Sequence, residues 1–249
     1  MKSRQEIKSL AKEGVAAQRG TAILILLVLM LISLGAGIIG AIPFIGWLIS
    51  IAAAGFFLMA LEVNVYGSFI KIFKKEQTEI GEPFSALSFN FLRKVGGMWW
   101  MGLWALIWSL LGVIVITVYS SLIMAAEFNG NEVSVGFLVI MPFVAVVLSI
   151  PGIIKSIAYS MTPYILADCP NVTARDALKL SMRMTAGHKG KLFVLGLSFI
   201  GWMLLSAITF YILYIVYTGP YMYATFSGFY LELKEQAVAS GVIEASELE

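Results

Sequence analysis

The sequence predicts an all-α fold: a polytopic membrane helix bundle of six transmembrane helices, arranged as three hairpins, with cytoplasmic amphipathic helices between them. Three observations predict it. The chain is 59% hydrophobic and 13% charged, with a mean hydropathy of +0.89, far above soluble norms. Thr21 to Leu61 carries no charge over 41 residues, Val95 to Ala126 none over 32, and Leu192 to Leu231 none over 40. Finally, Lys and Arg gather in three segments of five each: before Thr21, from Lys71 to Lys94, and from Asp168 to Lys191. The connections near Pro43, Asn129 and Thr209 carry no Lys or Arg.

A spanning helix takes about 20 apolar residues, so the first and third runs each hold two. Backbone amides in hydrocarbon must be satisfied within their own segment, and no alternating ten-residue pattern offers a barrel instead. The positive-inside rule then sets the basic segments and both ends in the cytoplasm. That places the chain in a cell membrane as a multi-pass protein, with the single Cys169 in a reducing compartment.

Residues 1–235 read as one membrane domain. The leader 1–19 opens on Ser3 and Glu6, a capping box. Ile7, Leu10, Ala11 and Gly14 share one helical face, away from Arg4, Lys8 and Lys12, which suits a helix lying in the interface with its cations near anionic lipid. The apolar run that follows exceeds the 7–15 residues of a signal-peptide core, so an uncleaved first helix is expected. Spans are expected at 21–41, 45–70, 97–124, 136–167, 192–208 and 212–234. Gly35, Gly37 and Gly40 formally match a dinucleotide fingerprint but follow no strand; close helix approach explains them better.

Pro83 is placed to open a short helix with Phe84, Leu87, Phe91 and Leu92 on one side. The fourth span contains Pro142, Pro151 and Pro163, and its length requires a kink or an inward projection. Thr173 and Asp176 form a capping box for a helix with Ala174, Ala177, Leu178 and Met182 inward, stopped by Gly187. The last outer turn is expected within Ile208–Leu213, with Gly219-Pro220 as a kink beyond it. Residues 236–249 read as an acidic flexible tail. The pieces align as three units of amphipathic helix and apolar hairpin, through duplication or because every inner loop of such a bundle looks alike.

The segment PYILADCPNVTARDALKLSMRMTAGHKGKLFVLGLSFIGW, followed by PYMYATFSGFY, closely resembles the domain-of-unknown-function 975 family of small bacterial integral membrane proteins. The leader's Glu-Ile-Lys-Ser-Leu-Ala-Lys run is similar to the family's start. The likeness is strongest from Tyr159 to Tyr230 and departs at Thr209, where a glycine-containing turn is expected. It implies a bacterial cell membrane and supports the topology, but carries no activity with it.

Ionisable groups within spans cost about 2.5–3.5 kcal/mol on the insertion scale, so Glu62 and Lys155, with Asn64 beside the first, form a candidate intramembrane polar site. Glu62 and Lys155 either pair between helices, or Lys155 snorkels inward while Glu62 is neutral or hydrogen-bonded. Lys8, Lys12, Arg19, Arg93, Lys94, Arg175, Lys179, Arg183, Lys189 and Lys191 are candidate contacts to anionic headgroups.

His188, Asp168 and Cys169 are expected on a solvated loop, and one histidine with one cysteine makes no usual zinc site. No Walker loop, nucleophile elbow or HExxH occurs, and Asn171-Val-Thr173 matches the glycosylation pattern only formally. The basic segments suit lipid phosphates better than nucleic acid, and no cofactor motif is present. The sequence therefore favours a non-enzymatic, membrane-embedded interaction or assembly partner. Its alternative is a transporter or lipid-handling protein working through Glu62, Asn64 and Lys155.

Overall fold

The computed structural model describes residues 2–87 and 90–248, and every regular element among them is helical. Helix α1 is Arg4–Ala17, α2 Arg19–Gly40, α3 Gly46–Phe73, α4 Phe91–Phe128, α5 Val135–Tyr159, α6 Thr162–Asp168, α7 Ala174–Thr185, α8 Lys189–Leu197, α9 Ile200–Ile208 and α10 Gly219–Ala239. Five helical segments are long and apolar enough to cross a membrane: α2, α3, α4, α5 with α6, and α8 with α9. The segment expected as a sixth span, 212–234, is not among them. It enters through a π-helical turn at Tyr214–Thr218, continues into α10 with Pro220 in its first turn, and ends at Glu232 and Lys234.

Helix α1 has its capping box: Ser3 Oγ accepts from the Glu6 amide at 3.2 Å, and Glu6 accepts from the Ser3 amide at 3.4 Å. Its apolar face meets protein, not lipid. Ile7 and Ala11 are buried in one core with Phe69, Ile72, Tyr230 and Leu233. At Gly14 the backbones are so close that a Cβ would lie 2.5 Å from the Ile72 carbonyl oxygen. The apolar stripe thus has a protein partner, and the expected interfacial helix is instead a core element.

Gly35 and Gly37 face open space, but the close helix approach expected of this stretch is made at Gly40, where a Cβ would lie 3.0 Å from Ser50 Oγ of α3. Between α4 and α5, a Cβ on Gly112 would meet Ser149 Oγ at 2.3 Å. The helix expected from Pro83 is a 3₁₀ turn, Glu82–Leu87. Its expected apolar face does not form, since Leu87 and Leu92 are exposed; Ser88 and Phe89, inside that stretch, lie outside the described residues. Asn90 takes a left-handed φ of 54°, and α4 starts directly after it, six residues before the expected 97.

Pro142 and Pro151 lie inside α5 without ending it. The break comes at Ser160 and Met161, where Pro163 opens α6. Ser181 of α7 stitches this break. Its hydroxyl donates to the Ala158 carbonyl at 2.7 Å and accepts from the Met161 amide at 3.2 Å, so the interrupted backbone is satisfied although buried. Thr173 caps α7, accepting from the Asp176 amide at 3.2 Å, and Ala177, Leu178, Ser181 and Met184 turn inward.

The turn expected within Ile208–Leu213 falls at Thr209–Tyr211, with Phe210 and Tyr211 at positive φ. The terminal segment is docked where a flexible tail was expected. Ile243 and Leu248 are buried, and Arg183 binds Glu247 and the Val242 carbonyl. Side chains at the base of the molecule supplied the missing hydrophobic contact that composition alone did not reveal.

The core is therefore lopsided. Residues of α1, the second half of α3, α6, α7 and α10 form a packed basal layer. Beyond it the apolar faces of α4 and α5 stand open along most of their length, with Leu111 60% and Val146 62% exposed.

Candidate functional site

Helix α3 is the axis of the site because its two faces carry different chemistry. Glu62, Tyr66 and Phe69 follow at i, i+4 and i+7 and so share one face; Asn64, Gly67, Lys71 and Lys74 lie on another.

The first face looks into an aromatic cluster. The Tyr66 hydroxyl donates to Glu62 Oε1 at 3.3 Å. The Tyr66 ring lies 4.6 Å from that of Tyr164 on α6 and 5.3 Å from Tyr223 on α10. Tyr223 stacks on Phe69 at 5.1 Å. Tyr164 in turn stacks on Tyr230 at 5.5 Å. Such ring pairs contribute about 0.5–1.5 kcal/mol each beyond the area they bury, so this cluster fastens α3, α6 and α10 together.

At its far end the Tyr230 hydroxyl donates to Asp168 Oδ2 at 2.9 Å, and Lys234 pairs with the same carboxylate. Lys234 also reaches Cys169 Sγ at 3.5 Å. Cys169 is buried, where a solvated loop was expected, and burial pushes its thiol up while Lys234 draws it down. His188 takes no part in these bonds; it stands at the start of α8, its Nδ1 buried and, among the described residues, without a partner. Among the described residues no group of three His, Cys, Asp or Glu converges to hold a metal ion.

The second face borders a polar basin of about 380 Å³, closed by α3, the 3₁₀ turn, the start of α4 and the end of α6. Asn64 belongs here. Its amide donates to Ser85 Oγ at 2.8 Å and to the Glu82 carbonyl at 3.4 Å, because the connection after α3 folds back along that helix. Lys71 pairs with Glu82 across the same connection.

The three residues expected to form one intramembrane site are thus separated. Lys155 Nζ lies 4.6 Å from the Trp108 ring centroid, and among the described residues no ion pair joins it to Glu62. A cation on an indole face gains about 0.5–2 kcal/mol depending on its exposure, so Lys155 has a favourable partner without Glu62.

The cations expected at lipid headgroups divide as well. Lys8 bonds Ser198 and covers the Phe199 ring, while Lys12 sits over Tyr221. Arg175 lies over Trp100, Lys179 pairs with Asp176, and Arg183 binds Glu247. Arg93 donates to the carbonyls of Leu166, Cys169 and Val172, closing the end of α6, and Lys94 is buried against the basin. Arg19 and Lys191 are exposed and Lys189 half-buried.

Sequence reasoning missed the tyrosine cluster and the Asp168–Lys234 pair. One signal was present: Tyr223 and Tyr230 stand seven residues apart and so share a helical face.

The family model described as a protein of unknown function (DUF975) matches residues 1–237. The chain belongs to this family. The match takes in every residue of the aromatic cluster and of the basin. No curated protein and no solved structure matches the chain.

Proposed function

We propose that this DUF975 protein is a non-enzymatic interaction or assembly partner embedded in the bacterial cell membrane. It would cross the membrane six times as three hairpins, with both ends and the basal layer, including the amphipathic α1 and α7, in the cytoplasm. The distribution of basic segments supports that orientation. The observation that carries the reading is a membrane-facing cleft of about 570 Å³ between α5 and α8–α9. Ser156 and Ser160, four residues apart, lie on one wall beside Gly152, which itself packs on Trp108 and Ser109 of α4, and Gly196 lies on the other. Small residues on the two walls let a second helix approach closely, and apolar side chains such as Phe193 and Ile200 complete them. The expected contact surface therefore moves from α1 and α7, whose apolar faces turn inward, to the spans.

The test is a photo-reactive residue at position 156 in living cells. A crosslinked membrane protein of defined mass, lost when Gly196→Leu fills the cleft, is the expected outcome; crosslinks to lipid alone would sink the reading. The alternative, transport or lipid handling, draws its support from the basin beside Asn64. Water-soluble thiol reagents reaching a cysteine at position 64 from both sides of the membrane would favour it.

A further inference from the structure

The basin beside Asn64 contains a cation that, among the described residues, has no ion-pair partner. Lys94 is only 6% exposed, and among the described residues no hydrogen bond or ion pair reaches its ammonium, although it lines the cavity. Next to it, Arg93 gives its terminal nitrogens to three carbonyls and so is committed to closing the end of α6. Lys74 adds a third positive group on the wall. The carboxylates here are mostly committed: Glu82 to Lys71, and Asp168 to Lys234 and Tyr230, leaving Glu76 at the edge. Asn64 and Ser85 supply neutral polar groups.

A cation on a largely buried stem, with no counter-charge beside it, is costly to hold. That cost is offset if an anion with several acceptor oxygens occupies the basin. We propose that the basin is a binding site for a phosphate group, held by the Lys94 ammonium, with Lys74 at its mouth and Asn64 and Ser85 alongside. Its volume of about 380 Å³ exceeds what a bare phosphate needs and admits a substituent. Its height in the molecule favours a phospholipid headgroup as the source. Lys94 immediately precedes Val95, where the 32-residue charge-free run of α4 begins, so the basin opens where headgroups lie. This inference is independent of the proposed helix-binding cleft, which lies between other helices.

The test uses the purified full chain in a neutral detergent, titrated separately with short-chain phosphatidylglycerol, short-chain phosphatidylcholine and inorganic phosphate, reading the thermal midpoint. Phosphatidylglycerol is expected to raise the midpoint saturably. Lys94→Met, which keeps the stem and removes the charge, is expected to weaken that response at least tenfold while its own ligand-free midpoint equals or exceeds that of the parent. A response to phosphate at similar concentration would assign the site to free phosphate esters, and a response to phosphatidylglycerol alone would assign it to lipid. If Lys94→Met does not fold, Ser85→Asp serves in its place. Ser85 is exposed, and a carboxylate there repels an anion without disturbing the core. No shift with either phosphate source, or an undiminished shift in the folded variant, would overturn the proposal.

Discussion

Arg93 illustrates how a single side chain here does work that its charge did not advertise. Its guanidinium reaches the carbonyls of Leu166 at the end of α6 and of Cys169 and Val172 beyond it; the Cys169 carbonyl also accepts from the Val172 amide at 3.4 Å. The planar fork spans them at once; a lysine ammonium at the end of a flexible stem reaches one. Hydrogen bonds to a charged group contribute about 1.5–3 kcal/mol each, and a carbonyl left dry costs about as much as the bond it lost. Arg93→Lys is therefore expected to lower the unfolding free energy by about 2–3 kcal/mol, measured by denaturant titration in detergent micelles. An unchanged midpoint would mean that water replaces the guanidinium. The same residue was expected from sequence to meet lipid headgroups. Positive charge beside an apolar run is equally consistent with a headgroup or with a helix end, and only the position of α6 decides between them.

Elements were legible where their own residues determine them. The caps at Ser3 and Thr173 involve neighbours three residues apart, and both form. The middle of the expected repeat fails because Asn90 leaves the right-handed region and pairs its side chain with the Pro170 carbonyl, a contact 80 residues away. The aromatic cluster was hidden for the same reason: it joins Tyr66, Tyr164 and Tyr223 from three distant helices. The terminal segment was misjudged by composition. It is small and acidic, yet Arg183 of α7 offers its acidic end a partner and the core accepts Ile243. That docking should depend on pH. The Glu247 carboxyl lies below the usual carboxylate range, first because Arg183 hydrogen-bonds it. A group with a depressed folded value gives its full stabilising effect above its ordinary value near 4.5 and loses it as pH falls through the lowered one. Hydrogen exchange over residues 240–248, corrected for intrinsic rate, is expected to stay slow at neutral pH and accelerate below about pH 4. Arg183→Gln should make exchange fast throughout and flatten that dependence. Protection that persists unchanged at acid pH would show that Ile243 and Leu248 hold the segment alone.

At the scale of the whole molecule, the split between a packed base and open spans follows from the two solvents the chain meets. Water drives Ile7, Phe69, Ile165 and Leu233 together, because hiding apolar area from it is worth about 25 cal/mol per Å². Hydrocarbon gives no such drive between helices, since a leucine facing lipid tails is as well solvated as one facing another leucine. The result is a membrane half with clefts and exposed faces, anchored to a basal half that behaves as a small globular core. Equivalent truncations should therefore have unequal effects. Leu166 is fully buried and its methyl groups press on Gly97, where a Cβ would come within 2.5 Å of one of them. Leu166→Ala removes those contacts and leaves a void, at a cost of about 2–5 kcal/mol. Leu111 is 60% exposed on α4, so Leu111→Ala loses contacts that lipid supplies equally in the folded and the separated state, and its effect should fall within about 0.5 kcal/mol. Titrating both variants from dodecylmaltoside into sodium dodecyl sulfate, with tryptophan fluorescence as the readout, compares them directly. If Leu111→Ala proved as damaging as Leu166→Ala, the open face of α4 would have to be covered by a partner in the same micelle, and the spans would contribute to folding stability as much as the base does.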